Sequence, residues 1–117
     1  NDSLGGTSTD MDSTITAYSS SAGNEVSNSG SYSAGGGLLP SQTVSGSQTQ
    51  TTAFVDFGEM TFTSATITAR GALIYNDTNS DKAVCVLDFG SDKSSSSGQF
   101  QVVFPSPDTT SAIIRIA

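Results

Sequence analysis

A chain of 117 residues with 34% hydrophobic and 13% charged residues has room for one domain and a core of modest size. Its net charge of −7 comes with four basic residues, Arg70, Lys82, Lys93 and Arg115. They do not cluster, so nucleic acid and anionic membrane surfaces are excluded as partners. Histidine is absent and Cys85 is the lone cysteine, which removes the commonest general base, an internal disulfide and any multi-cysteine zinc site.

Ser, Thr and Gly are abundant while strong helix formers are scarce, so an all-β fold is expected. The sequence shows neither a run of membrane-spanning length nor a signal peptide. Apolar residues are unevenly spread, 12 in positions 1–50 and 28 in 51–117. Ser, Thr and Gly fill 27 of the first 50 positions, and no Lys or Arg occurs there. Such a segment buries too little apolar surface to offset its ordering entropy. Residues 1–37 are therefore expected to be a Ser/Gly-rich, weakly structured arm, and 38–117 the folded domain. Leu4, Met11, Ile15, Tyr18, Val26 and Tyr32 are its possible anchors, each worth roughly 1.5–3 kcal/mol if fully buried. Residues 14–18 suit a short turn of helix or strand, and Gly35, Gly36 and Gly37 let the backbone bend.

From Leu38 the pattern becomes strand-like. Residues 38–45 read as an edge strand, because Pro40 lacks a ladder donor. Residues 52–57 alternate as a strand, 60–62 extend it, and 64–66 read as a turn into a hairpin. That hairpin consists of apolar runs 69–75 and 83–89 around the polar tip 76–82. Both runs carry apolar side chains on each face, so the hairpin is expected at the centre of a sheet. Residues 91–98 read as a Ser-rich loop. Phe100, Val102 and Phe104 alternate with Gln99, Gln101 and Val103 as a half-exposed strand. Pro105 and Pro107 break the sheet, and 112–116 form a last strand. Six or so short strands predict a small antiparallel β-sandwich or jelly-roll-like domain.

The hairpin also carries a resemblance. Residues 70–77 followed by 84–92, with Leu-Asp-Phe-Gly-Ser-Asp inside, resemble a family of small tailed-bacteriophage virion structural proteins. Upstream, Asn24-Glu-Val-Ser-Asn-Ser-Gly-Ser-Tyr-Ser-Ala-Gly-Gly is similar to that family's Asn-Glu-Val-Ser…Gly-Tyr-Thr-Ala-Gly-Gly segment, and Ala112-Ile-Ile-Arg-Ile matches its close. The sequence departs from the pattern at Gly71 and Ser31. The resemblance implies a virion protein and a further apolar strand preceding Asn1.

Several motifs match catalytic or metal-binding spacings without their context. Asp77, Asn79 and Asp81 have the spacing of a calcium loop's start, with Asp88 twelfth, but Lys82 stands where Gly is needed and strands replace the flanking helices. Asp10 and Asp12 match the paired aspartates of dehalogenase-type phosphatases, yet no apolar strand precedes them. Asp88-Phe-Gly90 matches the kinase magnesium tripeptide in a chain lacking every other kinase element. Asn1-Asp-Ser3 and Asn76-Asp-Thr78 are formal glycosylation acceptors. Cys85 lacks a His partner and reads as a small buried hydrophobe. Asp56, Glu59 and Asp88 could pair as glycosidase carboxylates, but an ion pair of Asp88 with Arg70 or Arg115 is the simpler reading. No enzyme activity, metal or cofactor is expected.

Three readings follow, in order of preference. The first is a virion structural protein decorating or cementing the outer capsid, partnered by the major capsid protein or other virion proteins. A thin core there makes a homo-oligomer, a trimer among the possibilities, a source of stability. The second is a tail, fibre or spike component contacting the host, and the third a secreted adhesin-like module. Tyr18, Val26 and Tyr32 are the candidate partner-contacting residues, with packing on their own domain as the alternative.

Overall fold

A computed structural model describes residues 16–21, 25–46 and 51–116. The expected anchors Leu4, Met11 and Ile15, and the pair Asp10 and Asp12, lie outside the described residues. The chain is all-β with antiparallel sheets, as a sandwich-type domain requires. Five strands follow in order: β1 (Thr43–Ser45), β2 (Ala53–Asp56), β3 (Met60–Asn76), β4 (Lys82–Val102) and β5 (Ile114–Ile116). One helical turn, α1 (Tyr18–Ser21), precedes them.

The strands form a three-stranded sheet of order β1-β2-β5 and a two-stranded sheet of β3 and β4. Contacts divide the chain into two units. One joins the residues up to Gly36 with Phe62–Phe100, and the other joins Gly37–Thr61 with the residues from Gln101 on.

In the first unit β3 and β4 are the long hairpin, 17 and 21 residues rather than two short runs. Residues 91–98, expected as a loop, are strand. Part of the reason is chemical, because the hydroxyls of Ser94 and Ser95 bond across the pair. Ser95 Oγ donates to the Ala65 carbonyl at 2.9 Å and accepts from the Ile67 amide at 3.4 Å. Thr68 Oγ1 and Ser94 Oγ lie 2.9 Å apart. The expected turn at 64–66 is also strand, with the irregularity taken up by Ser64 at φ 52°. Burial alternation breaks there, with Thr63 and Ser64 both exposed between buried Phe62 and Ala65. A second irregularity lies in β4. Arg70 meets Asp88 and Thr68 meets Ser94, so two steps along β3 correspond to six along β4. Gly90, which lies between those two contacts on β4, has φ 75°.

Among the described residues the hairpin is a two-stranded sheet and not the two-sided centre of a larger one. Ala83, Cys85, Leu87 and Phe89 turn inward, but Val84 and Val86 on the opposite face are 50% and 38% exposed. Alternation continues at the far end, where Phe100 and Val102 are buried and Val103 is 62% exposed. The core of this unit is Tyr32, Phe62, Ala65, Ile67, Ala69, Ala72, Ile74 and Phe100. Three of those eight are alanines, so the core is thin.

Residues 25–36 are packed against this hairpin rather than standing apart as an arm. Ser31 N–H donates to the Thr63 carbonyl at 3.0 Å, while the Thr63 and Thr66 amides donate to Ser31 Oγ and Ser29 Oγ at 2.8 Å each. Serines that looked like disorder-promoting filler thus serve as acceptors along the edge of β3. At the tip, the Ala83 amide bonds the Thr16 carbonyl and the Tyr18 amide bonds the Asp81 carbonyl, adding a short antiparallel bridge at Lys82.

In the second unit the strand expected over 38–45 is confined to Thr43–Ser45. It is an edge strand, and Pro40 stays outside it, its carbonyl accepting from the Gly58 amide at 2.7 Å. β2 is central and β5 lies on its other side. Phe57 and Phe104 pack with ring centroids 5.6 Å apart, and Val102 and Ala112 are buried.

Candidate functional site

The three tyrosines, scattered in sequence at 18, 32 and 75, converge in the first unit. Glu25 is the reason. Its carboxylate accepts from Tyr18 Oη at 2.5 Å, Tyr32 Oη at 2.6 Å and the Gly35 amide at 2.7 Å. Tyr75 Oη completes the group by donating to the Gly35 carbonyl at 2.6 Å. The Tyr18 and Tyr75 rings stack, centroids 5.0 Å apart and 22° between planes. The Tyr32 ring meets Phe62 edge-on at 4.9 Å and 80°.

Each element places its member for a local reason. β3 presents Tyr75 one residue before its end, and the bridge at Lys82 holds Tyr18 beside it. The turn at Gly30 and Ser31 brings Tyr32 back over Phe62. That turn requires glycine: Gly30 has φ 57°, and a Cβ there would lie 2.3 Å from the carbonyl oxygens of Thr63 and Ser64.

The electrostatics favour neutral phenols. The hydrogen bond to Glu25, then burial, pushes the Tyr18 hydroxyl up to about 12. Burial first, then the same carboxylate, pushes Tyr32 up further, and burial raises Tyr75. A raised phenol pKa means the folded state prefers the proton. The stabilisation is therefore complete below pH 10, where unfolded tyrosine ionises, and is lost as pH rises from 10 through about 12. Stability is expected to be level between pH 7 and 9 and to fall steeply between 10 and 12. Tyrosinate absorbance should appear together with loss of the far-ultraviolet strand signal. Tyrosinate appearing near pH 10 with the strand signal intact would contradict the network.

At neutral pH both phenols that face Glu25 keep their protons. The carboxylate is spent on three donors, so the group fastens one stretch of chain to another and offers no poised acid–base pair. Sequence reasoning passed over Glu25. The available signal was that it is the one charged residue between Asp12 and Asp56.

The second feature is a face of the three-stranded sheet. Val44, Val55 and Ile114 stand in one cross-strand row, and Ala53 and Ile116 in the next. Residues opposite one another share a face, so all five side chains project from one side. This face carries no charge, whereas Asp56, Phe54 and Arg115 lie on the other. Val44 and Ile116 are 79% and 74% exposed and Ala53 is exposed too, while Val55 and Ile114 are half-buried.

Comparison with protein-family models, curated proteins and solved structures finds no match.

Of the candidate contact residues, Tyr32 is 2% exposed and packs within its own unit. Tyr18 and Val26 are half-buried. The tip at 76–81 is closed by Asn76, whose Oδ1 accepts from the Thr78 amide and hydroxyl at 3.1 and 2.7 Å. Among the described residues no three of His, Cys, Asp and Glu gather where they could hold a metal. Asp88 pairs with Arg70 at 3.6 Å, as expected, and Arg115 instead donates to the carbonyls of Thr109 and Thr110. The Gly90 amide holds the Asp88 carboxyl below its usual range, opposed by desolvation and aided to a lesser degree by the Arg70 charge. Glu59 accepts from Gln101 Nε2 at 2.5 Å, and Asp56 stands opposite Thr43. Cys85 is half-buried, and burial pushes its thiol up, away from the reactive thiolate. No helix among the described residues is long and apolar enough to cross a membrane.

Proposed function

We propose that this chain is a non-enzymatic structural protein of a tailed-bacteriophage virion that attaches to the outer capsid surface and stabilises the shell. The observation that carries the reading is the charge-free side of the β1-β2-β5 sheet, on which Val44, Ala53 and Ile116 are exposed. In a chain of net charge −7, an uncharged apolar face is where a protein partner can sit without burying an unpaired carboxylate. From strand spacing and rise the face measures roughly 200 Å², well below the ~800 Å² per partner of a stable pairwise complex. One such contact is weak, and many copies on a repeating shell add up. The sequence resemblance supplies the virion setting, and the major capsid protein is the proposed partner.

Quantitative peptide mass spectrometry on purified particles tests this reading. A copy number equal to the major capsid protein, or a simple fraction of it, is expected. Val44→Asp with Ile116→Asp should cut occupancy at least tenfold, because each carboxylate would have to be desolvated against the partner. Both side chains are exposed, so the fold should survive.

The second reading, a tail or spike component contacting the host, is favoured by the half-buried Tyr18–Tyr75 ring stack, the nearest thing here to a sugar platform. It ranks lower because both hydroxyls are already engaged within the chain. A handful of copies per particle would bring it forward, and absence from particles would remove both.

A further inference from the structure

The strap formed by residues 25–36 is held by few, discrete contacts, and the chain leaves it through Gly35, Gly36 and Gly37. Gly35 and Gly36 have φ of 95° and 77°, and nothing lies within 4 Å of a Cβ placed on Gly36. The division between the two units falls between Gly36 and Gly37. Gly35 is held by its bonds to Glu25 and Tyr75, whereas Gly36 has open space, so the backbone can hinge from Gly36 onward without steric penalty.

The hairpin, in turn, is incomplete without the strap. A two-stranded sheet is marginal in water by itself. Removing the strap would uncover Phe62 and leave the Thr63 and Thr66 amides without Ser31 Oγ and Ser29 Oγ. What fills this dock must have no side chain at the position of Gly30, serines on either side of it, and an aromatic ring at the position of Tyr32. The strap of this same sequence meets all of those requirements, whether it comes from the same molecule or another.

We propose that the strap exchanges between copies: the segment ending at Gly36 of one molecule docks on the β3–β4 hairpin of a second through the same Tyr32, Ser29, Ser31 and Gly30 contacts. Every bond of the closed form is regained in the exchanged form, so the two differ only at the hinge and in the entropy of association. Concentration then decides between them. The inference rests on this chain alone and stands or falls separately from the virion reading.

The test uses the full chain with Ser31→Cys, Thr63→Cys and Cys85→Ser. Ser31 and Thr63 are exposed and bonded to each other through main chain and hydroxyl, so a disulfide there reports which molecule supplied the strap. Refolding at high concentration before oxidation is expected to give covalent dimers and larger species on non-reducing gels, and dilute refolding to give linked monomers. Linked monomers alone at every concentration would overturn the proposal. Independently, Gly36→Pro cannot adopt φ 77° and should raise the dimer fraction at least tenfold by light scattering, in a background carrying Val44→Asp to suppress association through the sheet face. An unchanged monomer mass at all concentrations would overturn it too.

Discussion

Gly30→Ala is expected to lower unfolding stability by roughly 2–4 kcal/mol, a large share of what a domain of this size possesses. Two penalties combine. An L-residue at φ 57° costs about 1 kcal/mol or somewhat more. The added Cβ would then sit 2.3 Å from two main-chain oxygens of β3, which no side-chain rotation can relieve. The strap must lift away from Thr63, and the Ser31 and Tyr32 contacts loosen with it. Gly90→Ala is the matched control: φ is 75° there too, but nothing lies within 4 Å of the new Cβ. Urea unfolding of the two variants should separate the strain, common to both, from the close approach, present only at Gly30. Equal midpoints would show that the strap does not press on β3.

Tyr32 is the second position with a large expected effect. Tyr32→Ala removes an aromatic ring that is 2% exposed and should cost about 3–5 kcal/mol. Tyr32→Phe keeps the ring on Phe62 and removes only the donor to Glu25, for about 1 kcal/mol. Glu25→Ala should cost more than Tyr32→Phe, since it strips the acceptor from two phenols and the Gly35 amide at once. In a double-mutant cycle, Glu25→Ala with Tyr32→Phe should be less destabilising than the sum of the single changes, because the buried hydroxyl left orphaned by the first is deleted by the second. Strict additivity in thermal or urea unfolding would mean that the 2.6 Å contact contributes nothing.

The sequence by itself determined the fold class and the broad order of strands. The abundance of Ser, Thr and Gly beside β-branched and aromatic runs admits little else, and the alternation at Phe100, Val102 and Val103 predicted their burial correctly. It also narrowed the partner of Asp88 to Arg70 or Arg115, because few basic residues are available to any carboxylate here, and the fold chose Arg70. Strand lengths were not legible. Ser94 and Ser95 look the same whether their hydroxyls meet water or the opposite strand, and only the pairing with β3 decides. The convergence of Tyr18, Glu25, Tyr32 and Tyr75 was equally out of reach, since it depends on a strap crossing β3 where Gly30 allows two backbones to touch. The five-residue apolar face of the three-stranded sheet required knowing that β5 pairs with β2 rather than with its neighbours in sequence. Local periodicity fixes which side chains share a side of one strand; which strands lie next to each other is set by long-range pairing, and that pairing exists only in the folded chain.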